Sequence, residues 1–211
     1  NSSVSGRQYI YGAQLGASYR INKHLGVFAG GRMAYFSGNY SGYVEAKLKA
    51  ADQTLLNLEL DCDQSGWGIT PILGINYNVA GLTLAAKYEF KTSLNIANKT
   101  EKNSDPDGAL ADFKDGVNTP SDIPSMLSVA VGYKFTPRLR ATLEYHFYDD
   151  KHAGMAHIDG GTEGKEKALT HGTSEFLAGA EFDINKLITV SAGVQRTDYG
   201  LSDGFQTNTA F

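Results

Sequence analysis

The sequence predicts an all-β chain, an antiparallel transmembrane β-barrel of about eight strands. Three features predict it: two-residue alternation of apolar and polar side chains, tight polar turns at one end of the alternating runs, and long polar connections at the other. The alternation is cleanest between Ile123 and Asp150. Leu127, Val129, Val131, Tyr133 and Phe135 share one face of a strand, and Met126, Ser128, Ala130, Gly132 and Lys134 share the other. After Thr136-Pro137-Arg138, the residues Leu139, Ala141, Leu143, Tyr145 and Phe147 alternate with Arg140, Thr142, Glu144, His146 and Tyr148. Each run is about ten residues, the length with which a tilted strand crosses the hydrocarbon core of a bilayer.

The other elements follow the same rule. Arg7–Tyr19 sets Tyr9, Tyr11, Leu15 and Tyr19 against Gln8, Gln14 and Gly16. Leu25 to about Phe36 is the next strand, and the alternation through Tyr40, Gly42, Val44, Ala46 and Leu48 carries it past the membrane. Thr54–Asp61 reads as the returning extension and Gly66–Tyr77 as the next membrane strand, with Pro71, which lacks a ladder donor, marking a bulge or a weakly paired position. Leu82–Phe90 follows. The polar segment Ala97–Asp122 is expected to be a long loop with one helical turn near Leu110–Phe113, and Asp149–Gly172 a second long loop. Ser174–Phe182 and Leu187 to about Arg196 form the last pair, and residues 1–211 make one β-barrel domain or a portion of a larger barrel.

A glycine, two residues, an aromatic, a turn and a leucine recur four times: Gly16 to Tyr19 with Leu25, Gly74 to Tyr77 with Leu82, Gly132 to Phe135 with Leu139, and Gly179 to Phe182 with Leu187. The intervening turns are Ile21-Asn22-Lys23-His24, Asn78-Val79-Ala80-Gly81, Thr136-Pro137-Arg138 and Asp183-Ile184-Asn185-Lys186. An aromatic ring just before a turn suits a membrane interface, where one end of the side chain is apolar and the other wet. The glycines fall on the opposite face and relieve crowding in the lumen.

Composition narrows the function. Gly 24, Tyr 12 and Phe 10 against Pro 5 and Trp 1 suit many short strands. No run of about eighteen apolar residues exists, so no transmembrane helix is expected, whereas a barrel dilutes its apolar signal with lumen and loop residues. The net charge of -4 shows no basic patch for nucleic acid. Cys62 stands alone, without a disulfide framework or cysteine-based metal motif. Asn1-Ser2-Ser3-Val4 does not resemble a signal peptide and reads as a mature start or an internal boundary.

Arg32, Lys87, Glu89, Arg140, Glu144, His146, Glu175 and Glu181 all lie opposite the apolar stripes. Unpaired charges in a dry core cost several kcal/mol, so these faces line a wet lumen. There the groups either tie the wall together as ion pairs or hold a ligand. A cation among Arg32, Lys87 and Arg140 would take a ligand carboxylate, with Phe28 and Phe36 along the path of an apolar tail. Asp149, Asp150, His152, His157 and Asp159 match no known metal-ligand spacing, and no metal or other cofactor is expected. Catalysis is not expected either: neither Gly-x-Ser-x-Gly nor HExxH occurs, and Ser128, Glu144 and His146 are ordinary strand neighbours.

The succession of features resembles the FadL/TodX (OMPP1) family of outer-membrane transporters. Gly16-Ala17-Ser18-Tyr19 with its turn, Ser65-Gly66-Trp67-Gly68 leading to Gly74-Ile75-Asn76-Tyr77, Lys87 to Thr92, Pro124 to Tyr133, and Leu177 to Phe182 followed by Ile188 to Val194 carry the resemblance. It implies a fourteen-stranded barrel with an amino-terminal hatch, in the bacterial outer membrane of a Gram-negative organism. Its partners would be membrane lipid and hydrophobic small molecules resembling fatty acids, captured outside and released sideways through the wall. The hatch and further strands are missing from this chain, which is therefore expected to be an internal portion of such a transporter. The alternative is a small structural or adhesive outer-membrane barrel of about eight strands. A soluble lipocalin-like binder is a third reading.

Overall fold

The structure, a computed structural model, describes residues 2–48, 53–154, 169–200 and 209–210. Eight long strands correspond to those predicted: β1 (Ser2–Arg20), β2 (Leu25–Leu48), β3 (Gln53–Val79), β4 (Leu82–Glu89), β7 (Met126–Lys134), β8 (Leu139–Tyr148), β9 (Thr173–Asp183) and β10 (Thr189–Asp198). Three further strands join them, β5 (Asn95–Asn103), β6 (Asn118–Pro120) and β11 (Thr209–Ala210). The sheet order is β1-β2-β3-β4-β7-β8-β9-β10-β11, with β5 paired to β3 and to β6. The ladders from β3 to β11 are antiparallel.

The chain divides into two compact units. Unit 1 comprises Asn1–Ala13, Met33–Gly68 and Leu94–Ser121, and unit 2 comprises Gln14–Arg32, Ile69–Ser93 and Asp122–Phe211.

In unit 2 the ladder registers align side chains of one character into rows. Val131, Leu143, Ala178 and Val194 stand side by side on β7 to β10. Lys87, Ser128, His146, Glu175 and Thr197 make a polar row on the other face of β4 to β10. The apolar row is the exposed one, with Leu143 59% and Val194 74% accessible. A sheet face of contiguous exposed valine, leucine and aromatic side chains is of the kind that a transmembrane β-barrel turns toward lipid. Among the described residues no helix is long and apolar enough to cross a membrane; strands are the crossing elements of a β-barrel.

Three turns share one construction. In each, a side-chain oxygen at the second position accepts two backbone N–H bonds: Asn22 Oδ1 from His24 and Leu25 (2.8 and 2.9 Å), Thr136 Oγ1 from Arg138 and Leu139 (3.2 and 3.0 Å), and Asn185 Oδ1 from Leu187 and Ile188 (2.8 and 3.0 Å). These oxygens stand in for a backbone carbonyl and set the reversal. The last of these turns ends one residue later than predicted, so Leu187 belongs to the turn and is 94% exposed. The predicted four-residue turn Asn78–Gly81 is a two-residue one, Ala80-Gly81, with φ of 47° and 86°. Positive φ at both positions is the hairpin geometry that matches strand twist.

The segment Ala97–Asp122 is not a simple loop. Beyond its pairing with β4, which covers Ile72–Val79, β3 exposes further backbone donors and acceptors, and β5 satisfies them by pairing Ala97–Asn103 with Leu60–Ser65. Pro71 lies where β3 changes partner, its carbonyl accepting from Phe90 N–H at 3.0 Å. The short 3-10 helix Ala111–Phe113 is the predicted helical turn.

Candidate functional site

The polar face of unit 2 carries most of the predicted site residues. Phe28 of β2 lies over a floor of glycines: a Cβ on Gly16 would stand 2.4 Å from its ring, one on Gly30 2.8 Å and one on Gly74 3.8 Å. Phe28 and Lys87 together border a cavity of about 480 Å3, which Asn76 also lines. Arg140 and Glu144 border a second, of about 540 Å3, with Glu181 and Gln195.

Each expected cation faces a wall carboxylate. Arg32 Nη2 is 2.8 Å and Lys87 Nζ 2.7 Å from the two oxygens of Glu89, which is 6% exposed. Arg32 Nε also donates to Gln14 Oε1 at 3.1 Å. Arg140 is held by Glu181 and, at 3.0 Å, by Asp183. His146 stands between two carboxylates, Nε2 3.5 Å from Glu144 and Nδ1 3.4 Å from Glu175. Glu175 accepts further bonds from Tyr148 (3.2 Å), Gln195 (3.1 Å) and Thr197 (3.4 Å). Sequence reading misses Gln14, Asp183, Gln195 and Thr197 as members of these networks. Asp183 reads as a turn residue, and the glutamines carry no signal until the register places them beside a charge.

Phe36 lies on the same side of β2 as Phe28 and Arg32, farther along the strand. It lies in unit 1, 5% exposed, in a buried cluster with Leu94 and Ile96. Unit 1 also holds an apolar pocket of about 220 Å3 lined by Tyr40, Val44, Leu58, Leu60, Leu110 and Phe113 among others, where the Tyr40 and Phe113 rings meet edge to face at 5.5 Å. The polar side chains of β5 hold the wall of this pocket in place. Buried Asn98 donates to the carbonyls of Asp112 (2.7 Å) and Lys114 (3.3 Å) and accepts from Gln64 Nε2 (2.8 Å). Thr100 Oγ1 donates to Phe113 O at 2.5 Å, and Asn103 Nδ2 to Leu110 O at 2.9 Å. Thr100 also touches the fully buried Cys62 at 3.3 Å. Burial raises the Cys62 thiol pKa above its ordinary value, against the lowering effect of that hydroxyl.

At the start of the second long connection, Asp149 meets His152 at 2.5 Å and the Asp150 carboxylate accepts from Thr173 N (3.1 Å) and Oγ1 (2.6 Å). No metal-binding group of His, Cys, Asp or Glu occurs among the described residues, and His157 and Asp159 lie outside them.

An exposed apolar face backed by a paired polar one defines a transmembrane β-barrel wall, and solved structures identify which kind. The chain has the fold of the FadL-type outer-membrane β-barrels. A Pseudomonas aeruginosa FadL homologue matches it with TM-score 0.64 at 14% identity, over 96% of this chain and 52% of that one. The toluene transporter TbuX of Ralstonia pickettii matches with TM-score 0.61 at 16% identity, over 92% and 56%. The toluene transporter TodX of Pseudomonas putida matches with 0.58 at 16% identity, over 93% and 56%. The chain thus spans about half the length of these structures. No protein-family model and no curated protein matches the sequence.

Proposed function

We propose that the protein serves the passage of small, neutral hydrophobic compounds through an outer-membrane β-barrel, and that it is a transporter rather than an enzyme. The observation that carries this reading is the apolar pocket of Tyr40, Leu58, Leu60, Leu110 and Phe113 in a chain with the fold of toluene transporters. Its 220 Å3 of almost wholly apolar space is room for a small aromatic ring. The pairing of Arg32, Lys87 and Arg140 with wall carboxylates also favours a neutral solute over a fatty acid, whose carboxylate would compete with Glu89, Glu181 and Asp183. Long-chain fatty acids, the substrates the family resemblance implies, are the comparison that tests the solute class.

The experiment is equilibrium binding of radiolabelled toluene and of oleate to the detergent-solubilised protein, for the parent, Phe113→Ala and Leu60→Lys. The expected result is saturable toluene binding that both substitutions weaken at least fivefold, with oleate a poor competitor. Toluene binding unaffected by either substitution would overturn the assignment of the pocket, and oleate outcompeting toluene would overturn the solute class.

A further inference from the structure

The two walls of the unit 1 pocket are fastened differently. Tyr40 and Val44 belong to β2 and Leu58 and Leu60 to β3, whereas Leu110 and Phe113 come from residues 105–115, between β5 and β6. On either side of that segment the chain is tied down backbone to backbone. Ser104 N–H donates to the Glu59 carbonyl, while Asn98 donates to the Val117 carbonyl and accepts from Gly116 N–H, each at 3.0 Å. Between those anchors the backbone bonds among the described residues run within the segment, joining Asp105 to Gly108 and Leu110, Gly108 to Ala111, Leu110 to Phe113 and Ala111 to Lys114. The Asp105 carboxylate accepts from Ala109 N–H at 2.8 Å, and Lys114 pairs with Asp107 at 2.9 Å, so the segment is braced as one piece.

Side chains join this piece to β5. The carbonyls of Leu110 and Phe113 accept from Asn103 and Thr100, and those of Asp112 and Lys114 from Asn98. From the other direction, Asp115 Oδ1 accepts from Thr100 N–H at 3.0 Å. Water can take the place of either partner where the segment is as exposed as Asp112 and Lys114, so breaking one such bond costs far less than its strength in isolation. Gly116, directly after the segment, has φ of 76°, and a Cβ there would meet nothing within 4 Å. The backbone can turn at that position without a side chain in the way. A braced piece, a row of exchangeable bonds and a glycine at one end are the parts of a hinged cover.

We propose that residues 105–115 are a lid that swings away from β5 about Gly116 to admit the solute, with Asn98, Thr100 and Asn103 as its latch. The inference rests on the pocket assignment above and concerns how that pocket is entered. Closed, the lid lays Phe113 against Tyr40 and completes the apolar wall. Open, it takes Leu110 and Phe113 away and leaves a gap for a ring to pass. A bound ring touches both walls only in the closed state, so it holds the lid shut. The Thr100 amide senses the state, because its partner Asp115 leaves with the lid, whereas the Asn98 amide is bonded to Val117 beyond the hinge and stays protected.

The test is hydrogen exchange at single amides, read by NMR on the detergent-solubilised protein with and without toluene. In the parent the amide at position 100 should be about tenfold or more less protected than that of Asn98. Toluene at about ten times its Kd should slow exchange at position 100 about tenfold. Thr100→Val and Asn103→Ala each remove one latch bond and should speed it about fivefold, leaving Asn98 unchanged. Thr100→Ser keeps the hydroxyl and should behave as the parent. The proposal is overturned if toluene binds while the amide at position 100 is as protected as that of Asn98 in the parent and in both variants. If both substitutions speed exchange but toluene does not slow it, the solute assignment fails and the latch stands, so the two readings fall separately.

Discussion

A Cβ on Gly30 would stand 2.6 Å from the carbonyl oxygen of Leu15, so β1 and β2 approach each other more closely there than any side chain permits. The ring of Phe28 closes the same space from the other side, 2.8 Å from that Cβ. Gly30→Ala must therefore displace backbone, and we expect it to cost about 1 to 3 kcal/mol, as overpacking does. Gly16→Ala meets the far end of the Phe28 ring at 2.4 Å and the Ala29 carbonyl oxygen at 3.1 Å, and should cost less because the closest contact is a side chain that can turn away. Gly179→Ala meets nothing closer than 3.7 Å and should be neutral or slightly stabilising, because alanine restricts the unfolded chain. Urea unfolding midpoints in detergent, read from gel mobility, give the order; Gly179→Ala as damaging as Gly30→Ala would refute this account.

The turn oxygens make a second prediction. Asn22→Ala and Asn185→Ala each remove an acceptor of two backbone N–H bonds and should each destabilise by about 0.5 to 1.5 kcal/mol per bond lost, toward the low end because water replaces the partner at an exposed turn. Asn185→Asp keeps the acceptor and should restore most of the loss. Measured unfolding midpoints that treat alanine and aspartate alike would assign these residues no part in setting the turn.

The eight long strands were legible because lipid enforces a strict rule: on β7 and β8 every second residue must be apolar, and Leu127 to Phe147 obeys it without interruption. The glycine reading was legible in part. Gly16 does relieve crowding around Phe28, whereas a Cβ at Gly74, Gly132 or Gly179 would make only ordinary contacts, at 3.4 Å or more, and the shared motif cannot tell them apart because the difference lies in the neighbouring strand. β5 was illegible for a related reason. Its inward positions Asn98 and Thr100 are polar because they fasten the chain between Asp112 and Lys114, so the segment reads as loop. The site residues were recognisable as a charged face, but which carboxylate each cation meets depends on cross-strand register, which no single strand encodes.

Facing can be read directly, because Cys62 is fully buried and its raised thiol pKa leaves little thiolate at neutral pH. A raised pKa lowers reactivity at every pH below it, so Cys62 should resist maleimide at pH 7 until the protein is unfolded. Cysteines introduced at Val129, Leu143 and Ala178 should then be the ones labelled. Fluorophores there should be quenched by lipid-soluble agents, and those at Ser128, Thr142 and Glu175 by aqueous ones. The opposite pattern would mean that the apolar row faces the lumen.

The last prediction separates wall from ligand site. Glu89 holds two cations, at 2.8 Å from Arg32 and 2.7 Å from Lys87, and is nearly buried while they remain partly exposed. A hydrogen bond to a charged group contributes about 1.5 to 3 kcal/mol, and solvent around Arg32 and Lys87 brings these two toward the low end. Glu89→Gln weakens both and leaves two positive charges facing each other, so it should destabilise more than Arg32→Met or Lys87→Met, each of which leaves one pair. Adding Arg32→Met to Glu89→Gln should cost little more than Glu89→Gln alone, the non-additivity of residues sharing a network. If instead these cations serve a ligand carboxylate, Arg32→Met or Lys87→Met should lower oleate affinity about tenfold to a hundredfold, at about 1.4 kcal/mol per decade. We expect stability to change as described while toluene affinity stays within twofold, because a neutral ring has no charge for the wall to match. An affinity loss for oleate without a stability loss would make the wall a carboxylate site and the neutral-solute reading wrong.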